Sequence, residues 1–363
     1  MICCMIKAPI TFCFIVHFIV VTCVFSQNTT DAQKYTYLPQ SILLQRQLIY
    51  LEKNKSSYDL IQIKRVKSNY KLGDTSNNII FIKKKLMLLG DMKSFNVNTI
   101  FDSSLLIGIN NYQKRNGLRI SNLIKNDLIQ KLNQSLDYTI FKIKLNMKRW
   151  AYFDTASVNE FILINIPEYE LRLIKNKKIE IQMKVIVGKA INKSPQLNSF
   201  VHHIVFCPYW NVPNSILTKE ILPLIKRYPN YLSTFSMEWN NGKLRQLPGR
   251  SNALGLIKFI FPNSYDVYMH DTPLKNLFKE KERAFSHGCI RLEQPKKLAE
   301  YLLKDNERWS EDAIDSTVNK NKEQWVKINQ PMRIMIKYFT AWVDENESLQ
   351  LRKDIYNLDE KSN

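Results

Sequence analysis

The sequence predicts an α+β chain in which helical modules come first and a mainly β domain follows. Up to about residue 133, apolar residues recur at helical spacing. From Phe161 onward they alternate with polar residues, as in strands that are buried on one face. The chain has 363 residues and 45% hydrophobic content, which is enough for more than one folded domain.

The N-terminus has the pattern of a targeting segment. Lys7 precedes an apolar run from Ala8 to Phe25, and Ser26 follows at a position that suits a signal peptidase. We therefore expect a signal peptide over residues 1–26. An uncleaved membrane anchor is the alternative, because the run is about as long as a short membrane span. In both cases the rest of the chain is expected outside the cytoplasm, in the periplasm or cell envelope.

The cysteines divide between this leader and the body of the chain. The leader contains four of the six, namely Cys3, Cys4, Cys13 and Cys23. Only Cys207 and Cys289 remain in the body. An exported protein could join them in one disulfide, whereas a reactive thiol would have to stay unpaired.

Residues 27–135 are predicted to be helical. Residues 27–98 are expected to form a helical scaffold, with one amphipathic helix that starts near Ile79 and ends at Gly90. Residues 99–135 are expected to form a second helical module, in which Asp102 is the N-cap and Leu105, Ile109 and Tyr112 share one face. A connector over 136–157 follows.

Residues 158–310 are predicted to form the β-rich domain. Three alternating segments from Phe161 to Val187 indicate a β-meander, with a turn at 175–177. A strand is expected at 203–207, two more end at Phe261 and His270, and a helix is expected from Pro295 to Lys304. Residues 213–249 are predicted to be a helical insertion. Residues 311–363 are predicted to be a C-terminal extension that packs on the other domains, and a late strand is expected to begin at Arg333.

The formal net charge of +20 is compatible with nucleic acid, an anionic membrane surface or an acidic substrate. The lysines are scattered rather than blocked, and the sequence lacks a helix-turn-helix, zinc-finger or RNA-binding pattern. We therefore expect no nucleic-acid partner, and composition drift accounts for the basic excess.

The segment from Ser286 to Arg291 has the residue types of a cysteine-nucleophile site. His287 lies two residues before Cys289, and Arg291 lies two residues after it. Cationic and hydrogen-bond-donating neighbours lower the pKa of a thiol and favour the reactive thiolate. Gly288 allows close backbone approach, and its amide and that of Cys289 could face an oxyanion.

His270 is a candidate base for this nucleophile. It ends a predicted strand nineteen residues before Cys289, where the scaffold could aim its side chain. Cysteine and histidine residues are also often structural, so the residue types alone leave catalysis and a structural role open. Zinc binding by His270, His287 and Cys289 is disfavoured because no CxxC or HExxH pattern accompanies them.

A wider set of motifs resembles one family. His270-Asp271 and Ser286-His-Gly-Cys-Ile-Arg291 resemble the signature of the YkuD-type L,D-transpeptidases. The flanking segments resemble their long, multidomain YcbB-like branch from Gram-negative envelopes: Asn211-Val-Pro213, Arg245-Gln-Leu-Pro-Gly249, Asn252-Ala-Leu-Gly255, Lys258-Phe259, Tyr268-Met-His-Asp-Thr-Pro273 and Lys337-Tyr-Phe-Thr-Ala341. Residues 102–133 resemble a type 1 peptidoglycan-binding module whose second glycine-bearing turn is replaced.

The resemblance implies the fold and the reaction. The β-rich domain would be a β-sandwich-like YkuD catalytic domain, with residues 213–249 as a covering insertion. Cys289 would attack the third residue of a peptidoglycan tetrapeptide stem, release D-Ala and form a thioester. The side-chain amine of an acceptor stem would then give a 3→3 cross-link.

The resemblance also implies roles for single residues. His270 would be the base, and the backbone carbonyl of Asp271 would orient it. His287, Gly288 and the Cys289 amide would shape the oxyanion site. The expected substrate contacts are Arg291, Ser286, Tyr268, Trp210 and Asn252. No cofactor or metal is implied.

The partners implied are donor and acceptor stem peptides, glycan strands, and carbapenem-type inhibitors. The same motifs also fit an L,D-carboxypeptidase, in which water replaces the amine, or an enzyme that attaches an envelope protein to the stem. The non-enzymatic alternative is a wall-binding protein whose catalytic site has decayed.

Overall fold

A computed structural model describes residues 40–94, 96–151, 153 and 159–360. The predicted leader at 1–26 lies outside these ranges. Within them, no helix combines the length and the apolar character needed to cross a membrane.

The first part of the described chain is helical, as the apolar periodicity predicts. Asp102 caps α3, because its carboxylate accepts a hydrogen bond from the Leu105 amide at 2.9 Å. The helices are α1 (Gln40–Asp59), α2 (Asn77–Leu88), α3 (Ser103–Arg115), α4 (Asn126–Leu132) and α5 (Asp137–Ala151).

One core joins α2, α3 and α4. It runs from Ile63 to Leu132 and includes Ile79, Leu86 and Ile109. The predicted boundary at residue 99 therefore cuts through a continuous core, because α2 packs with the two helices that follow it. The periodicity locates the helices but carries no information on which helices pack together.

The predicted connector is a helix that belongs to the scaffold. α5 packs against α1, and Leu48 and Ile143 share a core with Val343 and Leu349 from the C-terminal part. Those two residues lie in a hairpin of strands, β13 (Ala341–Val343) and β14 (Leu349–Leu351), which follow the strands described below.

The second part of the chain is a β-sheet that closes on itself. Its hydrogen-bonded order is β3-β11-β9-β8-β4-β12-β1-β2, and β2 pairs back to β3. The core inside includes Ile164, Val185, Phe206 and Phe259. The predicted sandwich is thus one sheet whose two ends meet, which leaves only the short β10 as an added edge strand. The strands are β1 (Glu160–Asn165), β2 (Glu170–Lys175), β3 (Lys178–Gly188), β4 (Leu197–Phe206), β8 (Ile257–Ile260), β9 (Met269–His270), β10 (Ala284–Ser286), β11 (Ile290–Leu292) and β12 (Gln324–Lys337).

β12 corrects the predicted domain boundary at residue 310. It lies between β4 and β1, with Val326 opposite Ile204 and Ile334 opposite Ile162. The strand begins nine residues before Arg333, where we expected it. Pro331 and the polar residues around it hide the strand in the sequence, and the register shifts between Lys327 and Met332.

Two helices follow β11 before β12 begins. α9 (Pro295–Leu303) coincides with the predicted helix, and α10 (Glu311–Asn319) comes after it. Leu298 and Ile314 from these helices are fully buried in the core of the closed sheet.

The insertion is half helical and half β. Its short helical segments surround a π-helical stretch, Leu217–Ile221. Its second half, predicted as helix, is a hairpin of two strands, which a strand just before residue 213 extends to a three-stranded sheet in the order β5-β7-β6. The insertion has its own small core of Val212, Ile221 and Leu244. The elements are α6 (Asn214–Ile216), α7 (Leu222–Arg227), α8 (Tyr231–Thr234), β5 (Trp210–Asn211), β6 (Met237–Asn240) and β7 (Lys243–Gln246).

The predicted fold class is confirmed: helical modules precede a β-rich domain that carries an insertion. The closed sheet also brings together strands that are far apart in the sequence. β9 and β11 are neighbours, so residues 268–270 and 289–291 lie side by side.

Candidate active site

Sheet register places Cys289 and His270 on one face of the closed sheet. β11 runs parallel to β9, with Arg291 beside His270 and Ile290 beside Met269. Cys289 therefore continues the register beside Tyr268. Because alternate residues of a strand face the same side, all four polar side chains share one face.

His270 is buried and held in one orientation. Its side chain is 4% exposed, and Nδ1 lies 2.5 Å from the backbone carbonyl oxygen of Asp271. A carbonyl oxygen only accepts, so Nδ1 carries the proton and Nε2 is left free to accept one. That is the tautomer a general base needs.

The Asp271 carbonyl is itself fixed by the Asp271 side chain. One carboxylate oxygen accepts from the Leu256 amide at 2.9 Å, and the other accepts from Lys275 Nζ at 2.6 Å. Gly255 makes this possible, because a Cβ there would come within 2.4 Å of the carboxylate. The orientation of the base thus depends on a residue fifteen positions before it.

Two cations flank His270 in the sheet. Lys258 of β8 is its register partner on one side, and Arg291 of β11 is its register partner on the other. Burial lowers the pKa of His270 from its usual 6.5 to about 3, and the positive charges of both neighbours act in the same direction. The imidazole is therefore neutral at physiological pH.

The thiol of Cys289 is also neutral at rest. Burial raises its pKa, while hydrogen bonds from the Tyr268 amide and hydroxyl and the charges of Lys258 and Arg291 oppose the rise. This corrects the prediction of a thiol with a lowered pKa. The cationic and donor groups are present, but desolvation outweighs them.

The loop between β10 and β11 holds Cys289 in place. Ser286 Oγ donates to the Cys289 carbonyl at 2.5 Å and accepts from the Gly288 amide at 3.1 Å. Gly288 has φ +119°, which L side chains rarely adopt. Ser194 Oγ donates to the Gly288 carbonyl at 2.7 Å and so fixes the loop from β3's side of the sheet.

The two amides predicted to face an oxyanion differ in this arrangement. The Gly288 amide is committed to Ser286 Oγ, which removes it from that role. The Cys289 amide donates no hydrogen bond in the described part of the chain. The Cys289 amide is therefore available to a developing oxyanion.

The structure places the five predicted substrate contacts differently. Tyr268 and Arg291 lie on the catalytic face, and Arg291 Nε is buried with no hydrogen-bond partner among the described residues. Trp210 packs at the edge of the insertion core rather than in an open cleft. Ser286 is 2% exposed and serves the loop, so its predicted substrate contact is wrong in this structure.

Asn252 is likewise structural rather than substrate-binding. Its side chain is completely buried, and Nδ2 donates to the carbonyls of Pro208 and Leu247 at 3.1 and 2.9 Å. Its Oδ1 accepts from the Leu254 amide at 2.8 Å. These hydrogen bonds hold the segment that leads into β8.

His287 faces the insertion rather than Cys289. Its Nε2 lies 2.7 Å from a carboxylate oxygen of Glu220, in the π-helical stretch of the insertion. This contact joins the nucleophile loop to the segment predicted to cover it. Nothing in the sequence near Glu220 indicates the contact.

Other residues of the site were given no role from the sequence. Lys258 Nζ lies 3.8 Å from the centre of the Tyr268 ring. In the sequence, the position of Lys258 as the single charged residue inside the apolar strand Ile257–Ile260 was the feature that could have indicated its role. Tyr356 Oη accepts from the Ser194 amide at 3.1 Å and donates to the Gly188 carbonyl at 2.7 Å, a long-range brace that leaves no local pattern.

The described residues contain no group of three or more His, Cys, Asp or Glu side chains that could hold a metal ion. Cys207 and Cys289 are both free thiols, so the disulfide alternative does not occur in this structure. Cys207 is completely buried and donates to the Val318 carbonyl at 3.2 Å.

The Lys258→Met variant tests the electrostatic assignment. Lys258 lowers the pKa of both His270 and Cys289, so its removal should raise both. We expect both limbs of the pH profile for acylation of Cys289 by a carbapenem to move to higher pH. In the wild type, the acid limb should lie well below pH 6.5, because His270 stays neutral there. A variant with lower rates but unmoved limbs would show that Lys258 has only a packing role.

Sequence comparison identifies the domain. Residues 159–328 match the family model of the YkuD L,D-transpeptidase catalytic domain. A Haemophilus influenzae protein named "Putative L,D-transpeptidase" is 31% identical over 223 residues, which cover 56% of this chain and 45% of that protein. The chain thus spans about half the length of this relative.

Solved structures of L,D-transpeptidases also match. The enzyme from Mycobacterium smegmatis is 14% identical with a TM-score of 0.28, covering 49% of this chain and 58% of that one. L,D-transpeptidase 3 from Mycobacterium tuberculosis is 11% identical with a TM-score of 0.26, covering 49% and 61%. Residues 159–328 of this chain therefore correspond to a YkuD L,D-transpeptidase catalytic domain.

Proposed function

We propose that this protein is an exported L,D-transpeptidase that forms 3→3 cross-links in peptidoglycan through a thioester on Cys289. The observation that carries the proposal is the buried, neutral His270, whose Nδ1 is held by the Asp271 carbonyl on the same sheet face as Cys289. The YcbB-like branch, the type 1 module and the cell-envelope location are parts of the same proposal.

In the first half of the reaction, Cys289 attacks the carbonyl of the third stem residue. Because thiol and imidazole are both neutral, His270 Nε2 takes the thiol proton as the S–C bond forms. The Cys289 amide donates to the developing oxyanion. His270 then returns the proton to the leaving nitrogen, the C–N bond breaks, D-Ala departs and a thioester remains.

In the second half, the side-chain amine of an acceptor stem attacks the thioester. His270 accepts the amine proton and returns it to the sulfur, which leaves a new amide and a free thiol. The buried Arg291 Nε has no hydrogen-bond partner within the described ranges, which supports a role for Arg291 in binding a substrate carboxylate. Carbapenems would acylate the same thiol.

The insertion supports transfer to an amine over hydrolysis. It contacts the nucleophile loop through Glu220 and His287, and we expect it to limit access of water to the thioester. The carboxypeptidase and the envelope-protein attachment enzyme share the first half-reaction and differ only in the acceptor. A decayed wall-binding protein would lack that step altogether.

The test is incubation of the full chain with purified disaccharide-tetrapeptide muropeptides, followed by chromatography and mass spectrometry. We expect 3→3 cross-linked dimers with release of D-Ala. Tripeptides without dimers would identify a carboxypeptidase. No release of D-Ala would contradict an enzymatic function on this substrate.

A further inference from the structure

The acceptor amine carries one proton too many for attack on the thioester. A side-chain amine has an unperturbed pKa of about 10.4, so it reaches the site as an ammonium ion at neutral pH. An ammonium nitrogen has no lone pair with which to form a bond. One proton must therefore leave before the attack, and a second must leave after the new C–N bond has formed.

His270 is poorly suited to removing the first of these protons. Burial lowers its pKa to about 3, and the charges of Arg291 and Lys258 act in the same direction. The same two cations repel an approaching ammonium ion. His270 suits the second proton better, because the nitrogen is a stronger acid once it is bonded to the thioester carbon.

Glu220 and His287 form a second acid–base pair next to the nucleophile loop. His287 Nε2 lies 2.7 Å from one carboxylate oxygen of Glu220. A carboxylate only accepts, so Nε2 carries the proton, and Nδ1 of the neutral ring is free to accept one. Among the residues that the structure describes, neither Nδ1 nor the second carboxylate oxygen has a hydrogen-bond partner. The Glu220–His287 pair thus offers two unused acceptor atoms.

The Glu220–His287 pair lies close to Cys289 and is accessible. His287 precedes Cys289 by two residues, and two residues span at most about 7 Å of chain. The side chains of His287 and Glu220 are 35% and 50% exposed, so a substrate group can reach both. A group that contacts both residues lies where the insertion meets the nucleophile loop.

A widened helical turn presents Glu220. Pro223 has no amide hydrogen, and in a regular α-helix its ring would clash with the carbonyl of Lys219. The π-helical stretch Leu217–Ile221 relieves this clash. Ile221 is buried in the small core of the insertion and fixes the turn. Single π-helical turns occur frequently at functional sites, which favours a role for the residue that this turn presents.

Two other acids near the catalytic face are already engaged. Asp271 uses both of its carboxylate oxygens in contacts within the protein. Glu323 acts on Lys258 through its charge, and both of its carboxylate oxygens also accept hydrogen bonds. Glu220 differs from them because one of its oxygens remains free to accept from a cationic substrate group.

We propose that the Glu220–His287 pair binds the acceptor ammonium and removes its first proton, which gives both residues a catalytic role in the transfer step. This inference rests on the proposed function. Glu220 attracts the ammonium, and His287 Nδ1 takes one proton and passes it to water. The free amine then attacks the thioester carbon, its second proton moves through His270 to the sulfur, and the C–S bond breaks. The Glu220 carboxylate offsets the positive charge that the imidazole gains.

Two acceptors of different charge separate this role from a packing role. The full chain is incubated with disaccharide-tetrapeptide and either Nα-acetyl-lysine, whose side-chain amine is protonated at neutral pH, or hydroxylamine, which is not. Mass spectrometry measures the rates at which the stem amide and the stem hydroxamate form. Because the pair acts on a protonated acceptor, its loss should lower the amide rate and spare the hydroxamate rate.

Two variants remove the chemistry and keep the contact. In Glu220→Gln, the side-chain oxygen can still accept from His287. In His287→Gln, the side-chain amide can still donate to Glu220. We expect each variant to lower the rate of transfer to Nα-acetyl-lysine by about 10²-fold or more, the usual contribution of a general base. Hydroxamate formation should stay near the wild-type rate.

Glu238→Gln is the matched control. Glu238 lies on β6 of the same insertion, pairs with Arg245 and makes no hydrogen bond or ion pair to the nucleophile loop within the described ranges. This variant should use both acceptors as the wild type does. Equal losses of amide and hydroxamate in Glu220→Gln and His287→Gln would show that the pair only holds the loop, and would overturn the inference. Wild-type transfer to Nα-acetyl-lysine in either variant would overturn it as well.

The outcomes also separate this inference from the proposed function. If the wild type makes no dimers from muropeptides but transfers the stem to Nα-acetyl-lysine with the expected dependence on Glu220 and His287, the cross-linking function fails and the pair stands. Dimers that the wild type and both variants form at equal rates give the reverse result. Tripeptide as the only product with both acceptors would overturn the two together.

Discussion

Cys289→Ala is expected to abolish both cross-linking and acylation by a carbapenem. Removing the nucleophile of a covalent mechanism typically costs at least ~10³-fold in rate, because no other group can form the intermediate. The measurement is intact-protein mass after exposure of the full chain to a carbapenem. The wild type should gain one adduct, and the variant should gain none.

Cys207→Ser is the matched control for this experiment. Besides Cys289, the described residues include the cysteine Cys207. Its side chain is completely buried and donates a hydrogen bond to the Val318 carbonyl. A serine hydroxyl can make the same bond, so this variant should acylate like the wild type. The four cysteines near the N-terminus are present in every variant. An equal adduct on Cys289→Ala would therefore trace the reaction to another thiol and rule out Cys289 as nucleophile.

His270→Gln is expected to give the second largest effect, a loss of about 10²–10⁴-fold in the rate of carbapenem acylation. The Cys289 thiol has a raised pKa and depends on a base to take its proton during attack. Glutamine fills much of the imidazole volume but accepts no proton. Stopped-flow fluorescence or timed mass spectrometry would measure the rate.

Two further features make the His270 result specific. His202→Gln, at a partly exposed histidine on β4, should react at the wild-type rate. Raising the pH should partly rescue His270→Gln, because more of the thiol ionises without help. A His270→Gln variant that is within threefold of the wild type at neutral pH would show that the thiolate forms without this base.

The sequence predicts the chemistry of the site better than its geometry. Cys289 and His270 stand in local motifs that are typical of thiol catalysis and of the family, so both could be named from residue types and spacing. Their juxtaposition depends on the parallel pairing of β9 with β11, which no periodicity indicates. The roles of Lys258, Glu220 and Tyr356 depend on such long-range pairings as well.

Burial is the property that the sequence predicted least well. The neighbouring groups of Cys289 predict a lowered pKa of its thiol, but burial outweighs them and raises that pKa. Asn252 and Ser286 have the polar side chains of substrate contacts, yet the chain's own backbone uses their hydrogen bonds. The helix that Asp102 caps was predictable, because its cap and its apolar face are local features of the sequence. β12 was not predictable over its full length, because Asn329 and Pro331 interrupt the alternation of apolar and polar residues in that strand.

The position of β12 has a consequence for the order of events during synthesis. β1 is synthesised before its parallel neighbour β12. Ile162 of β1 can pair with Ile334 of β12 only after Ile334, 172 residues further along the chain, has left the ribosome. The meander of β1, β2 and β3 must wait with one flank unpaired, a state that is prone to intermolecular strand pairing. A shortened chain that stops at residue 328, where the family match ends, would retain that exposed flank permanently. Fragments for biochemical work should therefore extend beyond Lys337.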